Sequence, residues 1–186
     1  MIRSGRESPN CPRHLADYDK AITIAPRFTD AMDERGMTLF DLGRYDDAAQ
    51  QLATVVRVTP GDPYPVLWLH IARLRAHTPD AQEFQAGIKT LDLTTWPAPL
   101  FDLYLGKASI DDVRAASEQH PDGAAEGECE TAIFGGEYQL TKGDPAAATS
   151  LIAEASRACG PSENRYLTAW AELKRLVPAA SKQGPW

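Results

Sequence analysis

The chain has 186 residues, a formal net charge of −7 and 43% hydrophobic residues. That length suits one ordinary domain, and with 24% charged residues the composition excludes a chain that is disordered throughout. The acidic excess opposes binding to nucleic acid or to anionic lipid head groups, so we expect neither as a partner.

The first residues, MIRSGRESPNCPRH, carry charge but no apolar run. They predict neither a secretory signal nor a membrane span, and Cys11 follows Ser-Pro-Asn instead of the small residues of a lipobox. We expect residues 1–12 to be disordered. On the sequence as it stands, the expected location is cytoplasmic, without membrane contact.

Residues 45–58 place their apolar side chains on one face of a helix, three, four and seven residues apart. Gly43 ends a preceding helix, residues 29–42, and leaves a very short connection. These two segments are therefore predicted to form an antiparallel helical hairpin.

Residues 63–125 are expected to form divergent helices. Thr78-Pro79 predicts the start of one of them, and Ser109, with acidic residues after it, caps a helix over residues 109–119.

A second hairpin follows. Gly143-Asp144-Pro145 predicts a helix end, an N-cap and a first-turn proline, which separate helices at 127–142 and 145–158.

The chain ends in a predicted helix over residues 162–177 and a frayed tail at residues 178–186. No sustained alternation of apolar and polar residues predicts a strand. The sequence therefore indicates an all-α protein of nine or ten helices.

The first hairpin matches a 34-residue unit when Thr29 is its first position. The matching residues are Gly36 at position 8, Leu39 at 11, Gly43 at 15, Tyr45 at 17, Ala48 at 20, Leu52 at 24, Val55 at 27 and Pro60 at 32. This pattern resembles a tetratricopeptide repeat (TPR) over residues 29–62.

A second unit, residues 129–161, matches at Gly136, Gly143, Ala148, Ile152 and Ala155. Upstream, residues 13–28 resemble only the second half of a repeat. Small residues at positions 8 and 20 let paired helices approach closely, so Gly36 and Ala48 are predicted to touch within one hairpin and Gly136 and Ala148 within the other. Pro60 is predicted to stop the second helix.

The order of the segments PYPVLWLHIARLRAHTPD, WPAPLFDLYLGKASIDDV and SENRYLTAWAELKRL is similar to that of the bacterial NlpI-type TPR lipoproteins. This resemblance implies an adaptor that docks cell-envelope enzymes, including peptidoglycan hydrolases and a processing protease, and that is often a homodimer. The absence of an export signal departs from that family. The missing half-repeat leads us to hypothesise a shortened or misassigned N-terminus, and the location would then be the cell envelope.

In a TPR array, positions 2, 5, 9 and 12 of each first helix line a concave groove. The predicted partner-binding residues are Asp30, Asp33, Met37 and Phe40 at these positions, then Tyr64, Leu67 and Ile71 in a unit counted from Pro63, with Trp68 adjacent. They form an acidic rim around an apolar floor, which suits a peptide or helix with apolar and basic side chains. The alternatives are that the aromatic residues belong to the core, or that the same surface forms a dimer.

A metal site at the histidines and functional roles for the basic and acidic clusters have less support. His70 and His77 lie roughly 10 Å apart along one helix, too far to bind one metal directly. Arg73 and Arg75 are interpreted as a solvated helix face. The cluster Glu126, Glu128 and Glu130 is interpreted as the start of a helix.

Three cysteines give no disulfide framework, although Cys129 and Cys159 are able to pair if their helices adjoin. Small residues that fill helix packing are the preferred interpretation.

We therefore predict a non-enzymatic adaptor with a protein partner and with neither cofactor nor metal. A self-associating dimer and an enzyme with a dispersed site are the alternatives.

Overall fold

The computed structural model describes residues 11–78, 80–161 and 164–177, which form ten α-helices and no strand. In chain order these are α1 (Cys11–Ile24), α2 (Thr29–Asp41), α3 (Tyr45–Val58), α4 (Pro63–Arg75), α5 (Ala81–Ile88), α6 (Ala98–Tyr104), α7 (Ile110–Ser117), α8 (Ala124–Thr141), α9 (Pro145–Ala158) and α10 (Asn164–Leu176). Neighbouring helices pack against each other in sequence order, most extensively α8 with α9 and α2 with α3. The predicted all-α helical array is confirmed.

The α2–α3 hairpin has the predicted bounds to within one residue. Gly43 adopts a φ of +73°, a conformation that favours glycine, and it lies between the two helices. Pro60 follows α3 by two residues, and Thr59 lies between them at the C-cap.

The α8–α9 hairpin also follows the sequence prediction. Gly143 adopts a φ of +77°, and the side chain of Asp144 accepts a hydrogen bond from the Ala147 backbone nitrogen at 3.0 Å. The start of α8 at Ala124 is three residues earlier than predicted, directly after Gly123, which has a φ of +99°.

The divergent central helices depart further from expectation. The helix expected from Thr78-Pro79 begins at Ala81, with Asp80 at its N-cap position; Pro79 lies outside the described residues. The Ser109 cap is confirmed as a capping box with Asp112, and α7 ends at Ser117, two residues early.

The two predicted terminal segments lie mostly outside the description. Residues 1–10 and 178–186 are not among the described residues. Cys11 and Pro12 are part of α1, so the predicted disordered segment does not extend to residue 12.

Glycine at repeat position 8 faces the large residue at position 24 in both hairpins. A Cβ built on Gly36 would lie 3.0 Å from the Leu52 side chain, and a Cβ on Gly136 would lie 2.5 Å from that of Ile152. Ala48 and Ala148 are fully buried, but the atoms nearest to a Cβ at Gly36 belong to Leu52 and Gln51. The glycine at position 8 therefore lies closest to Leu52 in the first hairpin and to Ile152 in the second.

A disulfide joins Cys129 in α8 to Cys159 directly after α9, with the Cα atoms 4.8 Å apart. The preference for unpaired packing cysteines was wrong. Since α8 and α9 are antiparallel, the early part of α8 lies beside the end of α9 and brings the two thiols together.

The last helix closes the array. α10 packs against α9, as sequence order requires, and also against α2 and α8, while α4 packs against α8. The early and late parts of the chain therefore share one hydrophobic core. No helix in the described part of the chain is both long and apolar enough to cross a membrane.

Gly136→Ala is expected to lower the free energy of unfolding by about 1–3 kcal/mol, because the new methyl group overlaps the stiff, β-branched Ile152. Gly135→Ala is the matched control: its Cβ would lie 3.5 Å from Ile110, an ordinary contact, and alanine favours the helix by up to about 1 kcal/mol. Urea unfolding of both variants tests this, and equal stabilities would contradict the assigned contact.

Reduction of the disulfide is expected to lower the free energy of unfolding by about 3–4 kcal/mol, because the bond closes a loop with a sequence separation of 30. Equilibrium urea unfolding with and without excess reductant measures the difference. A variant with Cys129→Ala and Cys159→Ala should be insensitive to reductant. A wild-type midpoint that reductant does not move would argue against the bond.

Candidate binding cleft and polar interior

Five of the predicted partner-binding residues lie in the core. Phe40, Leu67 and Ile71 have 0% exposure, and Met37 and Trp68 are nearly as buried. In this structure these five side chains therefore have no exposed surface with which to bind a partner. The alternative that these residues are core is the arrangement observed.

An aromatic cluster explains this burial. The Trp68 ring lies 5.2 Å from that of Phe40 and 4.9 Å from that of Phe134 on α8. The packing of α8 and α10 over α2 and α4 thus covers the face that a lone TPR unit would leave open. The covering residues come from distant parts of the chain, so local periodicity gave no signal for them.

Tyr64 is half-buried and belongs to a polar cluster around Glu130. Its hydroxyl donates to Glu130 Oε2 at 3.0 Å, and the indole nitrogen of Trp96 donates to the same oxygen at 2.6 Å. Arg165 lies 3.0 Å from Glu130 Oε1 and also pairs with Glu126. Interpreting Glu130 as a simple helix-start acid was wrong, because this carboxylate is buried and holds three elements together.

Asp30 and Asp33 do lie at an open cleft. The N-terminal end of α2, the C-terminal end of α3 and the N-terminal end of α4 meet there, because these helices are successive antiparallel neighbours. The cleft has a volume of about 210 Å³ and is lined by Thr29, Asp30, Asp33, Glu34, Val55, Thr59, Asp62 and Pro65. Sequence reasoning identified two of its acids and missed Asp62 and Glu34.

Within the described residues, no cationic side chain neutralises the negative charge of this acidic cleft. Burial, and then the neighbours Glu34, Asp62 and Asp30, raise the pKa of Asp33 to about 6. The carboxylate of Asp62 accepts from the Tyr64 backbone nitrogen at 3.2 Å, which leaves its charge in place. In the described chain, no lysine or arginine forms an ion pair with Asp30, Asp33 or Asp62. A cation would therefore be attracted to the cleft.

Exposed apolar side chains adjoin the acidic cleft in sequence. Phe28 is 48% exposed and precedes Thr29, while Val58 is 45% exposed and precedes Thr59. Ile24, at the end of α1, is 75% exposed. A binding surface with an acidic centre and apolar flanks is thus available at this edge of the array.

Arg75 lies at the centre of the polar interior, so the interpretation of it as part of a solvated face was wrong. Its guanidinium bonds to Glu137 Oε2 at 2.5 Å, Glu172 Oε2 at 3.2 Å and the Tyr45 hydroxyl at 2.5 Å. Arg175 pairs with the other oxygen of Glu172 at 2.5 Å.

The pKa values of the two buried glutamates are shifted in opposite directions. Burial and the neighbouring Glu172 raise the pKa of Glu137, against the effect of Arg75. Burial acts the same way on Glu172, but Arg175 and Arg75 outweigh it and lower the pKa. The arrangement favours one proton on Glu137 and a full charge on Glu172.

Arg73 and His70 share the partner Asp80 at the start of α5. His70 Nδ1 lies 2.8 Å from Asp80 Oδ1, and its ring stacks on Phe84 with the centroids 3.7 Å apart. Arg73 pairs with Asp80 and Glu83. His70 is thus a packing histidine, and His77 is exposed.

The described residues contain no group of three or more metal-ligating side chains close enough to hold an ion. A comparison with models of known protein families finds no match to the chain.

The buried carboxyl group of Asp41 is expected to make the stability of the protein depend on pH. Burial of this carboxyl group raises its pKa to about 7, although the neighbouring Thr168 hydroxyl and Arg175 act against the shift; Glu172 and Glu34 add to it. The folded state therefore binds this proton more tightly than the unfolded state, and the resulting stability is lost as pH rises towards 7 and above.

Asp41→Asn should remove that loss, so its free energy of unfolding should fall less than that of the wild type between about pH 5 and pH 8. Urea unfolding at both pH values measures the difference. Asp46→Asn, at an exposed position in the first turn of α3, is the control and should keep the wild-type pH dependence. Identical pH dependence in the wild type and Asp41→Asn would contradict the assignment.

Proposed function

We propose that the protein is a non-enzymatic, TPR-type adaptor that binds a segment of a partner protein at the acidic cleft. The observation that carries this proposal is a cleft whose carboxylates have no cationic partner in the described chain and whose chain neighbours expose large apolar side chains. A free negative potential beside apolar surface attracts a basic residue flanked by apolar ones.

Repetition within the array supports the TPR assignment. The glycine at position 8 approaches the large residue at position 24 in α2–α3, and the same approach recurs between α8 and α9. Both hairpins also turn at a positive-φ glycine in position 15, Gly43 and Gly143. One local rule thus builds two hairpins that lie far apart in sequence.

The disulfide supports a location outside the reducing cytosol. Disulfides persist in oxidising compartments such as the periplasm. This agrees with what the resemblance to NlpI-type TPR lipoproteins implies, a bacterial cell-envelope adaptor for peptidoglycan-processing enzymes.

Self-association is the second candidate, and the edge of α1 favours it. In the described structure α1 packs mainly against α2, and Ile24 and Phe28 at its end remain exposed. A second copy would cover this edge. Analytical ultracentrifugation of the Ile24→Ser, Phe28→Ser double variant tests this candidate. An oligomeric state equal to that of the wild type would rule self-association out.

Asp30→Lys with Asp33→Lys is expected to abolish or strongly weaken partner capture, because two repulsive charges replace two attractive ones in the cleft. The measurement is affinity capture from the native cells with the wild type and the double variant as bait, followed by calorimetry with the captured partner. Binding to the wild type should weaken with added salt.

Asp46→Lys with Asp111→Lys is the matched control. Both aspartates are exposed, lie in the first turns of α3 and α7, and give the same change in net charge away from the cleft. This control should retain the partner. The same proteins captured by all three baits, with equal affinity, would refute the cleft as the binding site.

A further inference from the structure

A second groove runs along α4 and adjoins the acidic cleft at Thr59, which lines both. Its floor is one face of α4, with Val66, Leu69 and Arg73 spaced by three and four residues over roughly 10 Å of helix. Ala53, Val56 and Arg57 form the wall on α3, and Glu83, Phe84 and Gly87 form the wall on α5. The α4 groove has a volume of about 580 Å³.

The groove is open because α5 is short. It has 8 residues, against 14 in α3, and only Phe84 among them is fully buried. Both α3 and α5 pack against α4, but within the described structure they have no extensive contact with each other. A strip of α4 therefore remains uncovered between two parallel walls, and its long dimension suits a helix of a partner.

The charges at the groove differ between the two walls. On the α4–α5 side, Arg73 is engaged by the carboxylates of Asp80 and Glu83. On the α3 side, the guanidinium of Arg57 is exposed and bonds to the Thr54 hydroxyl at 2.8 Å, with no carboxylate partner in the described chain. The charge left available to a ligand is therefore positive, in a protein whose net charge is −7.

We infer that the α4 groove binds an amphipathic helix of a partner protein that presents apolar side chains on one face and a carboxylate beside them. The apolar face lies on Ala53, Val56 and Leu69, which are partly exposed, and the carboxylate pairs with Arg57. This site adjoins the acidic cleft at Thr59 but prefers the opposite charge.

A displayed library of helical peptides about 14 residues long, or roughly 21 Å of helix, is the probe. The library is randomised at positions i, i+3, i+4 and i+7 and at their neighbours, and is selected on the intact chain. We expect enriched peptides to carry large apolar residues on one face with Asp or Glu beside them. Fluorescence anisotropy then gives the affinity of each enriched peptide.

Arg57→Glu should weaken binding of the enriched peptides about tenfold or more, and Arg57→Gln should have a smaller effect in the same direction. A peptide with its carboxylate changed to lysine should recover binding to the Arg57→Glu protein. Arg157→Glu is the matched control, because Arg157 is an exposed residue at the same repeat position in the last turn of α9. Asp30→Lys with Asp33→Lys should leave peptide binding unchanged, which separates this site from the acidic cleft.

Three outcomes would overturn the inference. The library yields no enriched peptide, or enriched peptides bind the wild type and Arg57→Glu equally. The third outcome is that the chain forms a dimer and that Ala53→Arg, by filling the groove, dissociates it. The groove would then bind a second copy of the chain. Loss of partner capture at the acidic cleft is measured independently, so a failure of one proposal leaves the other standing.

Discussion

The buried guanidinium of Arg75 joins three helices that are remote in sequence. It lies on α4 and bonds to Glu137 on α8 and Glu172 on α10, residues 62 and 97 positions away. Loss of one partner from such a cluster leaves a buried charge uncompensated, which costs about 3–5 kcal/mol. Placing α8 and α10 correctly is therefore a condition for burying Arg75, and the early hairpin and the C-terminal helix form one core.

This closure decides which helix faces stay open at the surface. A TPR unit on its own presents the inner face of its first helix. Here Trp68 packs against Phe134 of α8, Phe40 packs against Trp68, and both side chains are buried. Two of the surfaces that stay open are an end of the array, where Asp30 and Asp33 lie, and the strip of α4 beside the short α5. The first is acidic and the second carries the exposed guanidinium of Arg57, so we expect them to favour ligands of opposite charge.

The hairpins followed from the sequence because their determinants are local. A positive-φ glycine, an Asp or Ser cap and apolar residues at helical spacing act within one or two turns, and the helices at Thr29–Asp41, Tyr45–Val58 and Pro145–Ala158 lie within one residue of their predicted bounds. The sequence signals of the divergent central helices are weaker, so the starts of these helices were predicted less accurately, as at Asp80. The acidic residues of the predicted site line a cleft, whereas its apolar residues lie in the core.

The sequence by itself determined the all-α class, the glycine turns and the close approach within each hairpin, since neighbouring residues supply all of those interactions. Only the tertiary structure decided which helix faces are covered, that Cys129 and Cys159 pair, and that Arg75 and Glu130 are interior charges. Helical periodicity marks which face of a helix is apolar. It does not reveal whether a distant helix or solvent lies against that face, because that depends on contacts between residues far apart in the chain.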